Sequence, residues 1–80
     1  MVDYDHLAVG RAIRAIRKEK GLSQEVVSGF AVIARSHLAM IENGQKKANF
    51  ETLWKIANAF GMMPHELVER IEKEITDVKK

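Results

Sequence analysis

Residues 22–44 read LSQEVVSGFAVIARSHLAMIENG and predict two short helices joined by a tight turn. Gly21 can end the preceding helix, and the Ser23 hydroxyl can cap a new helix that begins at about that residue. Glu25 then lies in a first turn whose dipole favours negative charge. Apolar residues recur at helical spacing on both sides of a break at residues 32–34, namely Val27, Phe30 and Ala31 before it and Leu38 and Ile41 after it. Because each helix is too short to be stable alone, each must bury this stripe against other helices.

The outward face of the second helix stays polar or small. Its expected members are Arg35, Ser36, Ala39, Met40 and Asn43. A helix with one buried face and one such face suits insertion into a groove.

Three further helices are expected, and no segment alternates long enough to predict a strand. Residues from about 5 to 20 form the first, with apolar positions at Leu7, Gly10, Ile13 and Ile16. The fourth is capped by Asn49 and ends at Gly61, and its inner stripe is Phe50, Leu53, Ile56, Ala57 and Phe60. Pro64 fits the first turn of the fifth. The sequence therefore predicts an all-α fold of five helices in a single domain, residues 1–80.

Composition excludes several classes of protein. A chain of 80 residues holds one small core. The absence of cysteine excludes disulfides, thiol catalysis and thiolate metal sites, and fits a reducing compartment. The start lacks a long apolar run, so neither a signal peptide nor a membrane span is expected. We therefore expect a soluble, cytoplasmic protein.

Positive charge is concentrated in the first half of the chain. The net charge is only +2, but eight basic and three acidic residues lie between residues 11 and 47, a local balance of +5. The basic residues are Arg11, Arg14, Arg17, Lys18, Lys20, Arg35, Lys46 and Lys47. This distribution fits a phosphate-rich partner, although ordinary surface charge explains it equally well.

The fifth helix, about residues 64–78, carries a coiled-coil-like seam. Val68, Ile71, Ile75 and Val78 step by three, four and three, while Leu67 turns toward the core. Ile75 and Val78 are expected beyond the core, facing water in a monomer. We therefore predict a homodimer through this helix, with a frayed tail as the alternative. Trp54 is expected in the core or at the same interface.

Three segments together resemble a known family: RKEKGLSQ at 17–24, ARSHLAMIENG at 34–44 and FETLWKIANAFG at 50–61. They resemble the lambda-repressor and Cro type of helix-turn-helix, the XRE family, over about residues 7–70. The resemblance implies a compact, five-helix, lambda-repressor-like DNA-binding domain. It further implies a sequence-specific transcriptional regulator that binds a double-stranded inverted-repeat operator as a homodimer. The short length and the Ala-Arg-Ser-His-Leu segment also resemble the controller proteins of restriction-modification systems.

The resemblance assigns roles to individual residues. The base-reading positions are Arg35, Ser36, His37 and Met40, and the phosphate-binding positions are Gln24, Asn43, Lys46 and Lys47. Arg17 and Glu42 match a pair that ties the first helix to the end of the recognition helix.

Three residues depart from the family pattern. Val32 stands where the family favours glycine, so the turn is expected to be strained or altered. Ala34 replaces the usual Ser or Thr cap, at a cost of about 1 kcal/mol. Either the helix starts there without a cap, or Ser36 caps a helix that starts two residues later and shifts the base-facing set. Ala48 replaces the usual proline.

Enzymatic chemistry is not expected. His6, His37 and His65 are scattered, and the chain has neither an HExxH motif nor a glycine-rich phosphate loop. The acidic residues of the fifth helix alternate with Arg70 and Lys73, as on a solvated face, so no metal or cofactor is expected.

The alternative function is an antitoxin or another protein-interaction module with the same fold. A toxin would then be the partner, whereas an activator would contact RNA polymerase, for instance through Glu25. The sequence specifies neither the operator, nor the regulated genes, nor repression as against activation.

Overall fold

The protein was analysed as a computed structural model that describes the backbone of residues 3–78 and the side chains of residues 3–77. Five helices follow one another along the chain: α1 His6–Glu19, α2 Gln24–Ala31, α3 Arg35–Glu42, α4 Phe50–Ala59 and α5 Pro64–Val78. Residues 3–78 contain no strand. The predicted all-α, lambda-repressor-like fold is therefore confirmed.

Local capping explains where the helices begin. The Asp5 carboxylate accepts a hydrogen bond from the Leu7 amide (2.9 Å) at the start of α1. Ser23 Oγ accepts from Val26 at the start of α2 (3.1 Å), and Asn49 Oδ1 accepts from Thr52 at the start of α4 (2.8 Å). The caps predicted at Ser23 and Asn49 are thus present, and each satisfies an amide that the helix itself leaves free.

The core lies where α1 meets α3 and α5, and where α2 meets α3 and α4. Its largest fully buried side chains are Ile13, Ile16, Val27, Leu38, Ile41, Ile56 and Leu67. All five helices contribute to this one core, so α3 is held on two sides by α1 and α2.

Two aromatic residues assigned to the inner stripes are in fact on the surface. Phe30 is 73% exposed and Phe50 is 66% exposed, so both expectations were wrong. In α2 the buried residues are Val27, Ser28 and Ala31, which span about 100° of the helix and leave Phe30 outside this buried face. Phe50, the first residue of α4, lies outside the face that this helix buries. Leu7 of α1 is likewise nearly half exposed.

The fifth helix also differs from the prediction. Ile71 and Ile75 are 7% and 5% exposed in the single chain and line up with Leu67 at spacings of four, so Ile75 does not face water. The reason is that α5, with 15 residues, packs along the 14 residues of α1 and extends the core to its last turns. Val68 remains 37% exposed, and the side chain of Val78 lies outside the described residues.

Candidate nucleic-acid interface

Helix α3 has one face buried in the core and one face toward solvent. Leu38 and Ile41 are 0% and 1% exposed and fix the helix against α1 and α2. On the other side Arg35 and Ser36 are exposed, and His37 and Met40 are half-buried. Because α3 begins at Arg35, the alternative start with Ser36 as the cap is wrong. The four predicted base-reading residues therefore keep their original register.

The guanidinium of Arg35 makes no ion pair among the described residues, in contrast to most other arginines of the chain. Arg11 pairs with an acidic residue of α5 at 3.2 Å, Arg17 pairs with one of α3 at 2.8 Å, and Arg70 pairs with one of α1 at 2.6 Å. Arg14, exposed on α1, is the other arginine without such a partner in the described part of the chain. Arg35 thus presents five uncommitted N–H donors at the exposed start of α3.

The turn between α2 and α3 passes through a left-handed valine. Val32 has φ 56° and ψ 49°, and 80% of its surface is exposed. A β-branched side chain is strained in this region, so the strain expected from the missing glycine is present. Ala34 is the N-cap residue of α3, and its side chain makes no capping hydrogen bond. The segment that presents Arg35 therefore lacks both a glycine at the left-handed position of the turn and a side-chain cap at the start of α3.

The end of α3 is tied to α1 by a buried ion pair between Arg17 and Glu42. Arg17 Nε donates to Glu42 Oε2 (2.8 Å) and its Nη2 donates to Oε1 (2.9 Å). The carboxylate side chain is only 1% exposed, and that of the arginine is 12% exposed. The hydrogen bonds that Arg17 donates to Glu42 raise the pKa of Arg17 against the opposing effect of burial. Arg17 Nη1 also donates to the Leu22 carbonyl (2.9 Å), so one side chain joins α1, α3 and the start of α2.

Gln24 takes part in the same network. Its side-chain amide donates to Glu42 Oε1 at 3.1 Å, a contact that spans 18 residues and that sequence reasoning missed. One amide N–H and the side-chain carbonyl of Gln24 make no hydrogen bond among the described residues. The residue predicted to touch phosphate therefore also helps to hold the recognition helix.

The loop after α3 carries the remaining predicted phosphate-binding residues. Asn43, Lys46 and Lys47 are all exposed there. Gly44 adopts φ +78°, which turns the chain out of the helix, and the Lys46 amide folds back onto the Met40 carbonyl (3.3 Å). Both lysine charges thus lie on a compact turn directly beyond the end of α3.

A separate surface on α4 and α5 is apolar. It contains Phe50, Trp54, Met63 and Val68, which are 66%, 49%, 59% and 37% exposed. The Phe50 and Trp54 rings meet edge to face, with centroids 5.9 Å apart. A groove of about 460 Å³ runs along this surface and meets a second apolar groove at Val68, lined in part by Tyr4. We refer to Phe50, Trp54, Met63 and Val68 as the α4–α5 patch.

Among the described residues, no three His, Cys, Asp or Glu side chains are grouped so as to hold a metal ion. Within residues 3–78, no helix is both long and apolar enough to cross a membrane.

Comparison with known proteins agrees with this geometry. The helix-turn-helix family HTH_3 matches residues 13–67, which is more than half of the chain. The HTH-type transcriptional regulator DdrOP3 of Deinococcus deserti is 33% identical over 60 residues, which are 75% of this chain and 46% of that protein. The chain thus spans just under half the length of this relative.

Solved structures of restriction-modification controller proteins have the same fold. That of C.AhdI from Aeromonas hydrophila is 33% identical, with a TM-score of 0.75 over 79% of this chain and 96% of that one. A variant of C.Esp1396I bound to its operator site OM is 25% identical, with a TM-score of 0.83 over 89% and 93% of the two chains. With the family match over residues 13–67, the chain belongs to the HTH_3 family of helix-turn-helix transcriptional regulators, of the XRE or lambda-repressor-like type.

Proposed function

We propose that the protein is a sequence-specific, double-stranded DNA-binding transcriptional regulator that acts as a homodimer on an inverted-repeat operator. One observation carries the proposal: α3 has a fully buried inner face and an outer face on which Arg35 has no ionic partner among the described residues. A rigid helix of this kind fits the major groove, whose base edges carry a distinct pattern of donors and acceptors.

Each base-reading residue has a chemical role in this proposal. Arg35 donates two hydrogen bonds to O6 and N7 of a guanine. Ser36 and His37 offer a hydroxyl and a ring nitrogen to neighbouring base edges. Met40, one turn further along, contacts the methyl group of a thymine.

A second group of residues binds phosphates and fixes the register of the protein on the duplex. Lys46, Lys47 and Asn43 do so from the loop that follows α3, and Gln24 does so from the start of α2. The exposure of Asn43, Lys46 and Lys47, and the free amide hydrogen of the half-buried Gln24, support these assignments.

The structural neighbours support a more specific role. One of them, a C.Esp1396I variant, is described as bound to its operator, and both proteins compared above are restriction-modification controllers. We propose the controller role for this chain as well. Genes for a restriction endonuclease and a methyltransferase beside its own gene are the expected finding, whereas a neighbouring toxin gene would favour an antitoxin.

The homodimer is proposed to use the α4–α5 patch. Ile71 and Ile75 are buried in the core of the single chain and cannot contact a second copy. Among the described side chains of the predicted seam, only Val68 is exposed enough to contribute to a dimer interface. A protein truncated after Arg70 would lack the core residues Ile71 and Ile75, so loss of the dimer in it would not show that α5 forms the interface. We therefore test the patch at Trp54, whose ring is half exposed and whose replacement leaves the core intact.

Sedimentation equilibrium measures this directly. The wild-type protein is expected to be a dimer, and Trp54→Glu a folded monomer, because a carboxylate cannot be buried without a partner. Phe30→Glu is the matched control, since it places the same charge at an exposed aromatic position outside the patch and should remain dimeric. A Trp54→Glu protein that stays dimeric would show that the interface lies elsewhere.

DNA binding is tested by comparing substitutions of two kinds. Arg35→Ala should weaken binding to the cognate site by about 1–3 kcal/mol and relax the preference at one base pair. Lys46→Ala should weaken binding to all sequences alike and flatten its dependence on salt, as should Lys47→Ala. Equal loss on cognate and random duplexes in Arg35→Ala would exclude base reading by this residue.

A protein-interaction module is the second candidate function, and one observation favours it. Val26, Phe30 and Val32 are 41%, 73% and 80% exposed on α2 and the turn, away from the α4–α5 patch. If this surface binds the physiological partner, Phe30→Ser should abolish regulation in cells while leaving operator binding unchanged. If the wild-type protein shows no preference among duplexes, the protein-interaction module replaces the DNA-binding regulator as the favoured function.

A further inference from the structure

The turn after the recognition helix is held by α1 as well as by its own hydrogen bonds. The Gly44 carbonyl accepts a hydrogen bond from His6 Nε2 at 3.2 Å, across 38 residues of sequence. Leu7 also packs against Gly44, because a methyl group added at Gly44 would collide with the Leu7 side chain. The first turn of α1 therefore holds Gly44, the residue at which the chain turns out of α3, through both a hydrogen bond and an apolar contact.

One turn further along, α1 touches the last turn of α3 through backbone alone. Gly10 is buried, and a Cβ atom placed there would collide with the Ile41 carbonyl and lie 2.8 Å from that of Glu42. A larger residue at position 10 would collide with backbone atoms of α3, and backbone cannot move aside as a flexible side chain can. Only glycine therefore permits this close approach. The α1 face formed by His6, Gly10 and Arg17 thus runs along the end of α3.

The loop beyond Gly44 depends on this contact for its position. The amides of Gln45 and Lys46 donate to the Met40 carbonyl at 2.8 and 3.3 Å, and the loop lysines lie only two and three residues after Gly44. An exposed loop of lysines costs conformational entropy to order on a duplex, and a loop fixed in advance avoids that cost.

We propose that His6 is a positioning residue for the DNA phosphate backbone, acting through Gly44 to hold Lys46 and Lys47 where phosphates lie, and that Gly10 sets the α1–α3 spacing that this requires. The inference deepens the proposed function and rests on it. In this proposal α1 contributes to phosphate binding indirectly, by positioning the loop lysines, and need not itself contact DNA.

The test is the salt dependence of binding to a cognate duplex and to a random duplex. The slope of log K against log salt is about −0.9 for each phosphate contact, so loss of one contact in each half of a dimer lowers its magnitude by about 1.8. His6→Ala should show this loss on both duplexes without changing which sequence is preferred. His6→Gln, whose amide occupies the place of Nε2, should restore the slope.

Two controls separate positioning from stability. Asp5→Ala removes the N-cap of α1 next to His6 and should lower the melting temperature, but it leaves the bond to Gly44. The magnitude of its slope should not fall below that of the wild type, since loss of an anion can only strengthen attraction to DNA. In the Lys46→Ala and Lys47→Ala double variant, adding His6→Ala should change the slope no further.

A measurement on the free protein tests the positioning of the loop without DNA, and exchange in α4 reports whether each variant is folded. Amide hydrogen exchange at Gln45 and Lys46 should be faster in Gly10→Ala and in His6→Ala than in the wild type, with exchange in α4 unchanged. A wild-type slope in folded His6→Ala, or unchanged exchange at these amides, overturns the inference while leaving DNA binding intact. A wild-type protein that binds no duplex refutes the proposed function and this inference with it.

Discussion

Removing Arg17 should destabilise the protein far more than removing any exposed arginine. Arg17→Met leaves the Glu42 carboxylate, 1% exposed, with a single remaining hydrogen bond from Gln24 at 3.1 Å. An unpaired buried charge costs about 3–5 kcal/mol. A domain of this length is stable by about 4–12 kcal/mol, at 0.05–0.15 kcal/mol per residue. The variant should therefore lose a large share of its stability, and its melting temperature should fall by about 12–40 °C.

Urea denaturation of a double-mutant cycle provides the assay. The Arg17→Met and Glu42→Met double variant should lie within about 1 kcal/mol of the wild type or above it, because two apolar side chains replace both buried charges. Arg70→Met is the matched control. Its partner Glu19 has a side chain that is 57% exposed, so solvent screens this pair and it should contribute far less to stability than the buried pair.

Two results would refute the reasoning about this ion pair. One is an Arg17→Met protein as stable as Arg70→Met. The other is a double variant as unstable as the single one, which would mean that packing at this place, and not the unpaired charge, sets the cost.

Three further predictions concern stability. Val32→Gly should raise the free energy of unfolding by about 1 kcal/mol, since relief of about 1–2 kcal/mol of left-handed strain exceeds the entropy cost of glycine; a lower melting temperature would contradict this. Ala34→Ser should add about 1 kcal/mol by capping α3, and thermal melts without a gain would exclude a capping defect. The hydrogen bond from Arg70 lowers the pKa of Glu19, so this pair stabilises the fold above the usual glutamate range, about pH 4.3, and ceases to do so as the pH falls through the lowered value. Stability should consequently fall less between pH 5 and pH 2 in Glu19→Gln, and identical profiles would show that the pair does not contribute.

The helices could be predicted from the sequence because their ends are determined locally. Ser23 and Asn49 each accept a bond from an amide three residues away, and Gly61 turns the chain at φ +71°. Such interactions need only neighbouring residues, so the bounds of α2 and α4 follow from the order of amino acids.

Burial at the margins of the helices could not be predicted in the same way. Periodicity places Phe30 near an apolar stripe, but only the packing of α2 on its neighbours decides how wide the buried face is. Ile75 is buried because α1 runs alongside the last turns of α5, which no property of α5 alone reveals.

The site shows the same division. The composition of α3 and the resemblance to the family indicated Arg35 and the Arg17 and Glu42 pair, whereas the contacts of Gln24 and His6 join residues 18 and 38 positions apart. Those contacts depend on how closely α1 and α2 approach α3, and that distance is a tertiary property.

Selection of bound duplexes from a random pool, with heparin as competitor, tests most directly whether α3 reads DNA in a symmetric dimer. Selection with the wild-type protein should enrich an inverted repeat whose half-site centres lie about 10–10.5 base pairs apart, because two recognition helices then enter successive major grooves on one side of the duplex. A pool without an enriched sequence, from a folded and dimeric protein, would contradict the proposal that this helix reads DNA.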